Sequence, residues 1–169
     1  MMKILALLVF FTLPALAKVC GQQGTIEERI KECAVTKENF ALVLSDDKGL
    51  EVYQDLKTKL IWGNRIITDF NHYGSQKACD DIPEKILLKD LKWRLPTVKE
   101  FEQSAAHGMK AALPNMTYWF WTSTPVRVRK TRNWRRRPPA QVFIWDGIEQ
   151  KTEAGDIKDA ASVRCVSKG

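Results

Sequence analysis

Four cysteines, Cys20, Cys33, Cys79 and Cys165, constrain what this chain can fold into more than any other feature of its sequence. They follow an opening that reads as an export signal: Lys3, the apolar run Ile4 to Leu13, then Ala15-Leu16-Ala17, the small-x-small pattern that a signal peptidase cuts. Residues 1–17 are therefore expected to be removed. The apolar run is about half of the roughly 20 residues that a membrane anchor needs. Ala17-Lys18-Val19 is too bulky and charged for lipid attachment at Cys20. The protein is expected to be exported, to the periplasm, the cell surface or the medium, with no transmembrane segment once the signal is gone. Disulfides form and persist in such compartments. An even number of cysteines then implies two bridges, although four thiols allow three pairings and the sequence does not choose. Metal binding is disfavoured, because no Cys-x-x-Cys pair exists and the only histidines, His72 and His107, are isolated. Neither a metal nor a cofactor is expected.

About 150 residues remain, enough for one domain with its own core. Thr25-Ile26-Glu27-Glu28 is a capping-box pattern, so a short helix starts at Ile26 with the stripe Ile26, Ile30, Cys33 and Ala34. Phe40 to Leu44 reads as a strand, and Ser45-Asp46-Asp47-Lys48-Gly49 is turn chemistry. Leu50 to Asp55 and Leu60 to Trp62 form a hairpin across Leu56 to Lys59. A helix covers Ser75 to Ile82. Thr97 and Glu100 make a second capping box, which starts a helix at Val98 that runs to about Ala106 and stops near Gly108. Tyr118 to Ser123, Gln141 to Trp145 and Ala161 to Val166 have strand composition. Short strands with few helices point to an α+β fold with a mostly antiparallel sheet and two main helices. Of the six tryptophans most are expected in the core. Trp119 and Trp121 share a strand face by period two, so they are expected to be buried or exposed together.

Catalytic signatures are absent: there is no phosphate loop, no Gly-x-Ser-x-Gly elbow and no His-Glu-x-x-His pair. No enzyme activity and no catalytic residue is expected. His72 and His107 read as structural or surface residues. Asp46-Asp47 reads as a turn and Asp80-Asp81 as the polar end of a helix rather than as calcium or acid/base sites. A wall-glycan hydrolase using Asp46 or Glu100 is the weakest alternative. Asn115-Met116-Thr117 matches the glycosylation acceptor pattern, which matters only where the transferase is present.

Several segments in order resemble a known family. They are Val52-x-x-Asp55-x-x-Thr58-x-Leu60-x-Trp62, a helix with Cys79, Trp93-Arg94-Leu95-Pro96-Thr97, Tyr118-Trp119-x-x-Thr122-Ser123 and the final Val163-Arg164-Cys165-Val166. Together they resemble the C-terminal domain family of the Legionella collagen-like adhesin, over about Leu50 to Ser167. The chain departs from the family at Lys59, where glycine is usual, and in the strand Trp119-Phe120-Trp121-Thr122. The resemblance implies a C-type-lectin-like fold over 50–169, with 18–49 as an N-terminal extension carrying a short helix and a strand. It further implies that the last strand returns beside the first and is tied to the first main helix by Cys79–Cys165, which leaves Cys20 to pair with Cys33. The Glu-Pro-Asn, Gln-Pro-Asp and Trp-Asn-Asp triplets of calcium-dependent lectins do not occur, so the resemblance does not extend to calcium-dependent sugar binding. Nor is there the cysteine pair of formylglycine-generating enzymes.

Against this frame one stretch stands out. Val126-Arg-Val-Arg-Lys-Thr-Arg-Asn-Trp-Arg-Arg-Arg-Pro-Pro139 carries Arg127, Arg129, Lys130, Arg132, Arg135, Arg136 and Arg137 around Trp134, with no acidic residue. Without Lys3 the formal charge of +7 falls to about +6, so this stretch alone supplies the excess. In the lectin-like frame it occupies the long variable loop where ligands bind. Planar guanidinium forks suit bidentate capture of sulfate, phosphate or carboxylate. The sequence therefore predicts a non-enzymatic recognition or adhesin module that binds an anionic glycan or polymer through these seven cations and Trp134. The alternative is a structural or protein-interaction module of the cell envelope with an acidic protein partner. Nucleic acid suits the charges and Trp134 stacking, but export disfavours it.

Overall fold

A computed structural model describes residues 19–82, 88, 90–127 and 140–168, with backbone alone at 67–69. Its elements are α1 (Ile26–Cys33), β1 (Thr36–Lys37), β2 (Phe40–Ser45), β3 (Glu51–Asp55), β4 (Leu60–Phe70), α2 (His72–Asp80), α3 (Val98–Ala106), α4 (Met109–Ala112), β5 (Trp119–Pro125), β6 (Gln141–Asp146), β7 (Lys151–Asp156) and β8 (Ala161–Lys168). Both capping boxes form: the Thr25 and Thr97 hydroxyls accept from the amides of Glu28 and Glu100, and each glutamate reaches back to the threonine amide. Those reciprocal bonds satisfy helix-end donors, which is why α1 and α3 start where the sequence indicates. The second helix begins earlier than expected, at His72, because the Asn71 side chain accepts from the Gly74 amide and caps it.

The strands form one eight-stranded sheet in the order β1-β2-β3-β4-β8-β5-β6-β7. All pairings are antiparallel except β5 with β8, which run parallel and meet at Phe120 and Ser162. The last strand returns to the middle of the sheet, beside β4 rather than β3, with Trp62 opposite Val166. β4 is eleven residues long where only Leu60 to Trp62 was expected; Gly63-Asn64 is absorbed as an irregularity in register instead of ending the strand. The edge strand β7 was not anticipated at all. The segment before Leu50 joins the same sheet: β1 and β2 continue it through β3, and α1 packs against β2.

Both faces of the central strands are covered, so they read as apolar runs without clear alternation. On one face α3 sends Phe101 onto Trp62, at 5.2 Å between ring centroids, and stacks it on Trp145 at 5.3 Å; Phe40, Phe120 and Val166 complete this core. On the other, Val52, Ile61, Leu95, Trp121 and Val163 pack around Cys79 of α2 and Cys165 of β8. Those cysteines are bonded across 86 residues, and Cys20 is bonded to Cys33 across 13. The structure therefore holds the pairing that the resemblance implied. Four of the tryptophans are buried, yet Trp119 is 38% exposed while Trp121 is fully buried. The expectation that the two share one fate fails. Trp121 lies under His72, at 5.4 Å, and donates to the Phe70 carbonyl, whereas Trp119 sits at the first position of β5. No helix among the described residues is long and apolar enough to cross a membrane.

Candidate anion-binding face

The basic stretch departs from a braced stem. β5 and β6 pair from Trp119 opposite Asp146 to Pro125 opposite Val142, with an irregularity in register between Trp121 and Pro125, and the Val126 amide donates to the Gln141 carbonyl at 3.0 Å. The flanks hold the stem in place. Ser123 N donates to Pro96 O at 2.8 Å and Val98 N donates to Thr124 Oγ1 at 3.0 Å, so the Leu95-Pro96-Thr97 turn grips β5. On the other side Ile157 N donates to Ala140 O. Arg127 lies on this stem and is exposed to solvent. Arg129, Lys130, Arg132, Trp134, Arg135, Arg136 and Arg137 lie outside the described residues.

Other polar candidates of the sequence have structural occupations. Asp46 accepts from the amides of Lys48 and Leu50 and so shapes the β2–β3 turn. Asp80 ends α2 and Asp81 caps it. Glu100 is engaged by its capping box and by both terminal nitrogens of Arg94, at 2.9 and 2.5 Å. His72 Nε2 sits 3.1 Å from the Thr122 carbonyl. His107 Nδ1 and Ser104 Oγ both meet Asp55 Oδ2. That trio is not a nucleophile-and-base pair: serine and histidine each bond the aspartate rather than one another, and Ser104 is fully buried. Among the described residues no group of three or more His, Cys, Asp or Glu side chains could hold a metal ion.

A feature that the sequence did not single out lies at the start of β5. Arg65 of β4 stands opposite Arg164 of β8. Its guanidinium carbon lies 3.2 Å from the centre of the Tyr118 ring, and its Nε donates to Ser162 Oγ at 3.1 Å. Arg164 is entirely buried. It donates through Nη1 to the Gly63 carbonyl at 2.7 Å and through Nη2 to the Pro114 carbonyl, and no carboxylate pairs with it among the described residues. Burial pulls its pKa down and the charge of Arg65 adds to the effect, while Tyr53 and Glu51 oppose it in part. These residues come from distant parts of the chain, so no local pattern announces them. A cavity of about 380 Å³ is lined by Asp46, Leu50, Arg65, Ile66, Phe70, Asp81 and Ile82.

No family model matches this chain, and no curated protein matches it.

Proposed function

We propose that this is an exported, non-enzymatic recognition module of C-type-lectin-like type that binds an anionic glycan or related polymer through the connection between β5 and β6. One observation carries the reading: seven cations and a tryptophan, with no acid among them, are strung between two strands whose ends are fixed by ladder and flanking hydrogen bonds. Like charges concentrated this way repel one another, and an anionic partner offsets that repulsion. A rigid stem limits the ordering that such a contact demands. The lectin-like frame is supported by the return of β8 to the sheet centre and its bond to α2 through Cys79–Cys165. The disulfides accord with export, as does the leader-like opening.

Retention on a heparin column tests the proposal. The purified chain without residues 1–17 is expected to bind at low salt and to elute as added salt screens its exposed charges. Deleting residues 127–137 is expected to abolish retention. Undiminished retention after that deletion would overturn the reading, as would no retention of the intact chain.

A further inference from the structure

We infer that Arg65 is the centre of a second anion site, separate from the basic connection, that takes a single sulfate-type oxyanion. Arginine binds an oxyanion best when its planar fork is fixed beforehand and its terminal nitrogens are free. Arg65 meets both conditions. Its guanidinium carbon sits over the Tyr118 ring and its Nε is committed to Ser162 Oγ, while neither Nη has an acceptor among the described residues. No carboxylate forms an ion pair with Arg65 or with Arg164 among those residues.

Directly opposite cross-strand residues share a sheet face, so Arg164 sets a second positive charge behind the first. The Arg164 Nε is buried without an acceptor among the described residues. Two adjacent guanidinium groups raise each other's energy, and an anion beside them lowers it. The Ser162 hydroxyl, which accepts from Arg65 Nε, keeps its own proton to donate. Tyr118 is 42% exposed, so the site opens to solvent. Tyr118 precedes β5 whereas the basic connection leaves the other end of this strand, so its point of departure lies about 20 Å from Tyr118 along β5. The inference therefore does not rest on the proposed function.

The test is a titration of the purified chain, labelled with ¹³C and ¹⁵N in arginine and tyrosine, with sodium sulfate against sodium chloride at matched ionic strength. The Arg65 Nε resonance and the Tyr118 ring are expected to shift saturably with sulfate only. R65Q is expected to weaken this binding at least about tenfold, and R65K to weaken it less than R65Q, because an ammonium keeps the charge but lacks the fork. Deleting residues 127–137 is expected to leave the sulfate response intact even where heparin retention is lost. A sulfated disaccharide that binds more tightly than inorganic sulfate marks the polymer-borne group as the ligand, and equal affinity marks the free ion. A linear response, equal shifts with chloride, or saturable binding that survives in R65Q would overturn the inference.

Discussion

His107 Nδ1 lies 2.9 Å from Oδ2 of Asp55, a carboxylate with no exposed surface. The same oxygen accepts from Ser104 Oγ at 3.1 Å, and Oδ1 accepts from the amides of Lys57 and Thr58. One buried side chain thus ties the end of α3 to the β3–β4 turn. Burial pushes the Asp55 carboxyl up, but the bonds from His107, Lys57 and Thr58 outweigh it and hold the group below the usual aspartate value. A group whose pKa is lowered on folding adds stability that is fully present above its unfolded value, about 3.9, and is lost as pH falls through the folded one. Asp55→Asn is therefore expected to destabilise the protein at neutral pH by about 2 kcal/mol, since it leaves buried donors without an anionic acceptor. The gap between the two proteins should close below about pH 4. Thermal melts of both across the acid range check this; a gap independent of pH would contradict it.

Glu100 holds α3 from two sides, as the reciprocal member of the capping box and as the partner of Arg94. Its carboxyl lies below the usual glutamate range: burial raises it, but the Arg94 and Thr97 bonds prevail. Thr97→Ala removes one capping bond and is expected to cost about 1 kcal/mol, whereas Glu100→Ala also strands Arg94 and should cost about 2 kcal/mol. Urea midpoints of the two variants give the order. A larger loss for Thr97→Ala would refute the assignment.

What was legible in the sequence was what local chemistry decides. Thr25 and Thr97 announced α1 and α3 because a capping box spans four residues. The strand β7 was illegible, since Lys-Thr-Glu-Ala-Gly-Asp has little strand propensity and is drawn into the sheet by its ladder with β6. Arg29 and Arg164 look like surface residues in the sequence and are buried in the fold, where main-chain carbonyls accept from both. The same distinction divides the candidate sites. Seven cations between Val126 and Pro139 are visible from composition. The Arg65 arrangement needs Tyr118 and Ser162, which only the meeting of β4, β5 and β8 brings to it.

The two disulfides should contribute unequally. Closing the 86-residue loop removes more freedom from the unfolded chain than closing the 13-residue one, by about 4.5 against about 3 kcal/mol in the chain-entropy account. Replacing Cys79 and Cys165 together by serine is expected to destabilise more than replacing Cys20 and Cys33. All four cysteines are buried, so reductant should act slowly on the native protein and quickly in denaturant. Denaturant midpoints and timed thiol titration give both answers.

Arg164 presents the sharpest case for a buried charge that cannot be replaced by an apolar side chain. Substituting both members of a buried ion pair by hydrophobic residues is often harmless. Here the acceptors are the main-chain carbonyls of Gly63 and Pro114, which no substitution at Arg164 removes. Arg164→Met fills much of the space but leaves both carbonyls buried without a donor, and is expected to cost about 3 kcal/mol. Arg164→Lys carries one compact ammonium in place of a fork that spans both, so it should recover about half of that loss. The loss should also loosen the segment around Pro114 that follows α4, because Arg164 joins it to the bulge in β4. Hydrogen exchange at the amides of Asn115 and Met116 reads this directly. Faster exchange there in Arg164→Met, with less change in Arg164→Lys, is the expected pattern. Unchanged exchange with unchanged stability would mean that Arg164 does not secure the two segments.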